Sequence, residues 1–148
     1  TTSEAYQNFK NMKKEDVYLE YMPRTAGLRN PEIHKPYELF ETFRTDVLKH
    51  LELARAAKII GKSLEANLTL TVTNEIKEAL DFLDVSNKLD KMLIVSNVEL
   101  NIGNEVNIEV TKATGHVCSR CWNIVKSVND DSICTRCEHV MEDYKWTY

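Results

Sequence analysis

The sequence predicts an α+β protein: a helical segment, a small mixed α/β unit and a C-terminal unit built around four cysteines. Three observations support this fold class. Apolar residues recur at helical spacing over residues 40–54, and apolar and polar residues alternate over 64–72. All four cysteines of the 148-residue chain lie between positions 118 and 137.

Composition restricts the class of protein. Hydrophobic residues make up 43% and charged residues 28%, a balance typical of globular domains. The first twenty residues are polar, so no targeting signal is visible, and the longest apolar run, Met92–Val95, is too short to cross a bilayer. The chain opens with Thr1 rather than Met, which we interpret as a fragment or a processed piece.

Charge is unevenly distributed. The net charge of −4 is not that of a typical nucleic-acid binder. Residues 1–62 carry eleven Lys/Arg against nine Asp/Glu, residues 63–111 three against nine, and residues 112–148 five of each. If RNA is a partner, we expect the two ends to contact it and the acidic middle not to.

The spacing of apolar residues and the positions of proline and glycine predict the first two helices. Ala5, Tyr6 and Phe9 share one helical face, and prolines and glycine then predict a loop over 23–35. A long helix follows, with Pro36 in its first turn and Gly61 just past its end. Its buried stripe consists of Phe40, Phe43, Val47, Leu51 and Ala54. Another face is either solvated or directed at phosphates, and it carries Arg44, Arg55, Lys58 and Lys62.

The pattern of residues 64–110 predicts three strands and a short helix. Alternation over 64–72 predicts a half-buried strand, and residues 76–83 predict an amphipathic helix. Residues 92–98 are more apolar, which predicts a second strand at the centre of the sheet. A third strand is expected over 106–110, after a turn at Gly103-Asn104.

The cysteines form two Cys-x-x-Cys pairs, Cys118/Cys121 and Cys134/Cys137, separated by twelve residues. Two residues between cysteines let both sulfurs reach one ion from a tight turn. Twelve residues suffice for a hairpin that brings the two turns together. Four thiolates complete tetrahedral zinc and leave no open position. We therefore predict a C-terminal four-cysteine zinc ribbon over 112–148 that binds one structural zinc ion.

Other interpretations of the cluster remain open at this point. Two local disulfides would suit a secreted protein, and iron also accepts four thiolates. His116 and His139 lie two residues outside the cluster, and each could replace a cysteine. Because four cysteines already complete the shell, we interpret both histidines as bystanders.

Three side chains within the cluster have two interpretations each. Arg120 and Arg136 occupy equivalent positions in the two pairs, and Trp122 follows Cys121 directly. The arginines either offset thiolate charge or contact RNA. Trp122 either packs on the hairpin or stacks on an unpaired base.

The segment Cys118–Trp122 resembles the C-terminal zinc finger of bacterial-type isoleucyl-tRNA synthetases. Ser3–Gln7 and Glu15–Pro23 resemble the end of that family's anticodon-binding helical domain. Leu51–Ala66 resembles its most recognisable signature in this region, and Leu93–Ser96 resembles a strand that follows. The finger alone is less specific, because formamidopyrimidine-DNA glycosylases carry a similar one.

The resemblance implies a tRNA-binding piece of a ligase. Residues 1–62 would end the anticodon-binding domain, 63–111 would form the small α+β unit, and 112–148 the finger. The partners implied are tRNA(Ile) and the remainder of a cytoplasmic parent enzyme that uses ATP, with neither membrane nor DNA. The His-x-Gly-His and Lys-Met-Ser-Lys-Ser motifs that handle ATP are missing, so we expect ATP only in the absent catalytic domain and no catalytic residue here.

Two small departures from the family concern Tyr6, where a tryptophan is often expected, and the short spacer between the cysteine pairs. Neither removes a zinc ligand. We expect Trp122 and Arg120 to contact an anticodon-loop base. The other predicted RNA contacts are Arg136, Lys126, Arg55, Lys58 and Lys62.

Two alternatives are a structural zinc clasp without RNA contact and a DNA-glycosylase-like finger. The glycosylase family uses an N-terminal Pro-Glu and an arginine in the finger hairpin. This chain begins Thr1-Thr2, and residues 126–131 contain no arginine and two acids. Acids at that place would repel phosphate, so the glycosylase alternative is the weaker one.

Overall fold

The computed structural model of the protein describes residues 1–9, 14–21 and 30–143. The chain divides into two compact units, Thr1–Pro31 and Glu32–Tyr148. The domain boundaries expected at residues 62 and 111 stay predictions. Within the described ranges, no helix combines the length and the apolar character needed to cross a membrane.

The first unit contains one short helix, α1 (Thr2–Gln7), as the spacing of its apolar residues predicts. A capping box begins α1: the Thr1 side chain accepts from the Glu4 amide, and the Glu4 carboxylate accepts from the Thr1 backbone nitrogen. Further along, Asp16 caps a 3₁₀ turn over Val17–Leu19. Residues 22–29 of the predicted loop lie outside the described residues.

A 3₁₀ turn at Pro31–Ile33 spans the boundary between the units, and the long helix α2 (His34–Ala56) follows it in the second unit. Pro36 lies in the first turn of α2, where a backbone amide would have no acceptor within the helix, so the missing N–H of proline costs nothing. The predicted stripe is confirmed, because the buried residues of α2 are Phe40, Phe43, Val47, Leu51 and Ala54.

A three-stranded sheet packs against α2. After a 3₁₀ turn at Ser63–Glu65, β1 (Ala66–Val72) forms the central strand. β2 (Asn97–Ile102) pairs with it in parallel, and β3 (Asn107–Lys112) pairs with its other edge in antiparallel orientation. Alternate residues of β1 are fully buried, so its inner face joins α2 in one core with Leu68 and Leu70 at the centre.

The predicted central strand over 92–98 is wrong. Met92 ends a short helix, α4 (Leu89–Met92), and the chain then turns before β2 begins at Asn97. Two apolar residues of this run anchor that turn together with Leu89: Leu89, Leu93 and Val95 are each at most 2% exposed, whereas Met92 and Ile94 are exposed. β2 is an edge strand, and β1 takes the centre.

The connection between β2 and β3 crosses the end of β1, because these two consecutive strands flank it on opposite sides. Gly103 makes the crossing: its amide donates to the Val72 carbonyl at 2.9 Å. A Cβ at this position would meet Thr71 Cγ2 at 2.6 Å, so the approach requires glycine.

α2 does not end as predicted at Gly61. Its cap is Ala57, and Lys58 follows in the left-handed conformation with φ of 57°. The Ile59 amide donates to the Ala54 carbonyl and the Lys58 amide to the Arg55 carbonyl, which is the hydrogen-bond pattern of a Schellman motif. Gly61 has another role, since its amide donates to the Glu65 carboxylate at 2.8 Å.

The two short helices that pack with the three-stranded sheet, α3 and α4, also end in a residue with left-handed backbone conformation. α3 (Asn74–Phe82) is capped at its start by the Thr73 hydroxyl and is followed, after its cap residue, by Asp84 with φ of 54°. α4 is followed by Ile94 with φ of 56°. A β-branched residue rarely adopts this conformation, so the turn after α4 is strained.

Candidate metal centre and nucleic-acid interface

The first cysteine pair lies at the tip of a two-stranded hairpin made of β4 (His116–Val117) and β5 (Ile124–Val125). The Cys118 amide donates to the Asn123 carbonyl and the Trp122 amide to the Cys118 carbonyl, each at 2.9 Å. Trp122 adopts a left-handed backbone with φ of 63° to close this turn. The hairpin therefore holds Cys118, Cys121 and Trp122 in one small loop.

The second pair lies on a helix rather than in a second tight turn. α5 (Thr135–Asp143) begins directly after Cys134, whose carbonyl accepts from the Glu138 amide at 3.0 Å. Cys137 therefore lies one helical turn along the same face as Cys134. The Cys134 amide donates to the Cys118 sulfur at 3.3 Å and so joins the two halves of the cluster.

The four sulfur atoms all lie within 4.8 Å of one another. Cys118, Cys134 and Cys137 are buried, and all four cysteines are free, with no disulfide between them. A tetrahedral ion with metal–sulfur bonds of about 2.3 Å requires sulfur–sulfur distances of about 3.8 Å. The Cys121 and Cys134 sulfurs are 3.8 Å apart, so the cluster could hold one metal ion.

The electrostatics of the cluster favour a bound cation. Burial raises the pKa of the Cys118 thiol, but hydrogen bonds from the backbone of residues 121, 134 and 120 outweigh burial and lower that pKa to about 6. Burial and hydrogen bonds with the other three thiols raise the pKa of Cys137 to about 12. Four thiolates this close repel one another, so a cation is needed to hold all four deprotonated.

Neither flanking histidine belongs to this group. His116 and His139 are both exposed, and among the described residues the group able to hold a metal consists of the four cysteines. Four sulfurs are enough to complete a tetrahedral shell, so neither histidine is needed as a ligand.

Trp122 is exposed beside the cluster. Its side chain is 66% exposed and lines a groove of about 280 Å³, which we call the tryptophan groove. One wall comes from the segment before β1 and includes Lys62 and Leu64, and the other comes from the hairpin and includes Ile124. Trp122 thus offers its indole to solvent instead of packing beneath the hairpin.

The two arginines of the cluster make contacts within the finger. The Arg120 guanidinium donates to the Cys137 carbonyl at 3.5 Å. A hydrogen bond with the Cys121 thiol raises the pKa of Arg136, against the opposing effect of burial. The Arg136 contact fits the interpretation that an arginine offsets thiolate charge, whereas Arg120 contacts a backbone carbonyl; both side chains remain exposed.

Lys126 lies away from the tryptophan groove. It follows β5 and lines a different groove of about 340 Å³, together with Arg136. Ile124 lines the tryptophan groove and Val125 the second groove. Ile124, Val125 and Lys126 together line a third groove of about 500 Å³, so the first two grooves are neighbours along the hairpin. The structure therefore divides the predicted RNA contacts between two neighbouring grooves.

The predicted cationic face of α2 is not a single helical stripe. The helix ends at Ala56, so Lys58 and Lys62 follow it, and Arg44 pairs with Glu41 at 4.0 Å. Arg55 donates to Glu52 and, at 2.5 Å, to the Ser63 hydroxyl, and so holds the segment that follows the helix. Of the three predicted phosphate contacts, Lys62 alone lines the tryptophan groove.

Sequence reasoning missed Ser96. Its hydroxyl donates to the Leu64 carbonyl at 2.5 Å and accepts from the Ile124 amide at 2.7 Å. These two residues belong to the two walls of the tryptophan groove, so Ser96 joins the sheet to the hairpin behind that groove. A serine between an apolar run and a strand carries no sequence signal for this role.

Known proteins match this sequence over nearly its whole length. The chain is 52% identical over 145 residues to the isoleucine–tRNA ligase of Acholeplasma laidlawii, and 38% identical over 142 residues to that of Onion yellows phytoplasma. It is also 38% identical over 154 residues to the isoleucine–tRNA ligase of Staphylococcus carnosus. No family model matches the chain.

These matches cover nearly all of the chain and a small part of each relative. They span 98%, 96% and 97% of the chain but 16–17% of the relatives' own length. The predicted resemblance is confirmed: the chain corresponds to a fragment of isoleucine–tRNA ligase.

Proposed function

We propose that this chain is the tRNA-binding part of an isoleucine–tRNA ligase and that it grips the anticodon stem and loop of tRNA(Ile). The exposed Trp122, held on a metal-binding turn beside a groove, is the observation that carries the proposal. The parent enzyme would activate isoleucine with ATP and charge tRNA in the cytoplasm. The fragment itself carries no catalytic site.

We infer that the metal is zinc and that its role is structural. Four cysteine sulfurs at tetrahedral spacing are the usual ligand set of a closed zinc site. Iron also accepts four sulfurs, and elemental analysis separates the two metals. A closed sulfur shell does no chemistry on a substrate, and its effect is to fix the turn that carries Trp122.

A rigid tryptophan suits an unpaired base. Anticodon-loop bases can be turned outward and stacked on aromatic side chains. The backbone of Trp122 loses little conformational freedom on binding, because two hydrogen bonds already close its turn. The Trp122 amide donates to the Cys118 carbonyl, and the Cys118 amide donates to the Asn123 carbonyl. Lys62 at the opposite wall of the groove supplies a positive charge for the phosphate of the stacked nucleotide, next to the Glu65 carboxylate, which accepts from the Gly61 amide.

The other proposed contacts surround this base. Arg120 lies one residue before Cys121 in the same turn and adds hydrogen bonds to a base edge or a phosphate. Arg55 and Lys58 contribute positive charge at the end of α2. Lys126 and Arg136 line the neighbouring groove and contact a different part of the RNA.

Such a grip serves catalysis at a distance. Binding energy gained far from the reacting atoms can be used to position them, so holding the anticodon end helps the acceptor end to reach the catalytic domain. We therefore expect the isolated chain to show no ATP–pyrophosphate exchange and no aminoacylation.

The test is a titration of the zinc-loaded chain with tRNA(Ile) and with a tRNA of different anticodon. Base stacking contributes about 1–3 kcal/mol, so Trp122→Ala should weaken binding of tRNA(Ile) roughly ten- to a hundredfold. Phe82→Ala is the matched control, because Phe82 is 56% exposed on α3 and does not line the groove. Unchanged affinity in a Trp122→Ala chain that retains its zinc would refute the recognition role.

A structural clasp is the second candidate function. The Ser96 hydrogen bonds to Leu64 and Ile124 favour it, because they tie the finger to the sheet whether or not RNA is bound. A clasp predicts that Trp122→Ala lowers thermal stability or zinc retention first. It also predicts no difference in binding between the two tRNAs.

A further inference from the structure

The second groove beside the finger, which we call the cation groove, brings together positive charges from three separate elements. Lys91 comes from α4, Lys126 follows β5, and Arg136 lies in the first turn of α5. The groove has a volume of about 340 Å³. No sequence motif indicated Lys91, which lies in the acidic middle region.

The charges of this groove are largely uncommitted. Lys91 and Lys126 are exposed and form no ion pair with any residue in the described part of the chain. Arg136 contacts the Cys121 thiol but keeps an exposed side chain. Among the described residues, the one carboxylate that lines the groove is Asp90, and the cluster cysteine Cys134 also lines it. Arg136 lies against the cluster sulfurs, so Lys91 and Lys126 supply most of the positive charge that is available to a ligand.

The elements that carry these charges are anchored. α4 is held by Leu89 and Leu93, each 2% exposed, and the Val95 amide closes the turn after it by donating to the Asp90 carbonyl at 2.9 Å. Lys126 follows a paired strand, and Arg136 lies between two cysteines of the cluster. An anion entering the groove therefore requires little rearrangement of the protein.

Polar groups that suit a phosphate complete the lining. The groove contains the Ser127 and Thr135 hydroxyls and the Asn123 amide, next to the three cations. Phosphate oxygens accept hydrogen bonds from all of these groups, and lysine and arginine provide the charge. Among the described residues that line this groove none is aromatic, so none of them offers a base a stacking surface.

We propose that the cation groove binds a backbone phosphate of the tRNA strand, with Lys91, Lys126 and Arg136 as its ligands. This inference rests on the proposed tRNA-binding function. The tryptophan groove lies nearby, because Ser96 lines the cation groove and its hydroxyl accepts from the amide of Ile124, which lines the tryptophan groove. One RNA strand therefore contacts both grooves: Trp122 takes a base, and the cation groove takes a phosphate.

The test measures tRNA(Ile) affinity of the full zinc-loaded chain at several salt concentrations. Lys91→Ala should weaken binding roughly three- to tenfold at low salt and reduce the slope of log affinity against log salt by about 0.7, the value for one lost phosphate contact on a single strand. Phosphate carries no sequence information, so the loss should be equal for a tRNA of different anticodon. Lys88→Ala is the control, since Lys88 pairs with Asp84 and does not line the groove.

A second variant reverses the sign of the effect. Asp90→Asn removes the opposing charge while keeping the size of the side chain, so it should strengthen tRNA binding and steepen the salt dependence. A variant that merely disturbed the fold would weaken binding instead.

The outcomes separate the two proposals. If the wild-type chain binds no tRNA, the proposed function fails and this inference fails with it. If the wild-type chain binds tRNA while Lys91→Ala matches Lys88→Ala in affinity and salt slope, the cation groove is overturned and the tRNA-binding function stands.

Discussion

Removing one hydroxyl should loosen the finger from the sheet. In Ser96→Ala, the Leu64 carbonyl loses a donor at 2.5 Å and the Ile124 amide loses an acceptor at 2.7 Å. Each hydrogen bond contributes about 0.5–1.5 kcal/mol net, and a buried group left without a partner costs more. Because both sites are only partly buried and water reaches them, we expect the free energy of unfolding to fall by about 1–3 kcal/mol.

The assay combines urea unfolding with hydrogen exchange. The Ile124 amide should exchange faster in Ser96→Ala, zinc content should stay at one ion per chain, and tRNA affinity should fall because the two groove walls are no longer joined. The control is Ser86→Ala, whose hydroxyl donates to the exposed Asp81 carboxylate and should change stability by less than about 0.5 kcal/mol. An unchanged Ile124 exchange rate would show that the hydroxyl does not couple the sheet to the hairpin.

Three further predictions concern the metal and the backbone. The purified chain should hold one zinc ion by elemental analysis, and Cys121→Ser should release it and unfold the finger while the sheet unit keeps its far-ultraviolet signal; iron or disulfides would contradict this. Lys58→Gly should raise the free energy of unfolding by about 1 kcal/mol, because glycine adopts the left-handed conformation without strain. The same variant should weaken tRNA binding at low salt as much as Lys58→Ala does, because both variants remove the lysine charge. Gly103→Ala should lower stability by about 1–3 kcal/mol through a clash with the Thr71 methyl, and adding Thr71→Ser, which lacks that methyl, should restore most of the loss; equal losses in the single and double variants would refute the clash.

Periodicity explains which elements the sequence predicted. The stripe of α2 and the alternation of β1 repeat over several turns or residue pairs, so both assignments were confirmed. The run Met92–Val95 is too short to carry a period, and four apolar residues fit a half-buried turn as well as a buried strand. β2 was missed because this apolar run took the strand assignment, although the residues of β2 alternate between exposed and half-buried as those of β3 do.

Local chemistry and tertiary packing explain the remaining differences between the features predicted from the sequence and those of the structure. Gly61 was the nearest glycine to the end of α2, but the left-handed position fell on Lys58, where a polar residue accepts the strain. The cysteine spacing predicted the cluster, whereas it could not show that the second pair begins a helix. The placement of Trp122 and Lys126 in different grooves and the approach of Lys91 to the finger both depend on tertiary packing, which leaves no local signal in the sequence.

The position of β1 between two later strands has a consequence during synthesis of the chain. Asn67 pairs with Asn97 and Thr111, thirty and forty-four residues further on, so at ribosomal rates β1 waits a few seconds for its neighbours. Residues 66–72 meanwhile form an uncharged, proline-free segment of high β-propensity, which is the kind of sequence that pairs with other copies of itself. A chain truncated before residue 107 would keep one edge of β1 open and should aggregate, so stable shorter versions of this protein must include β3.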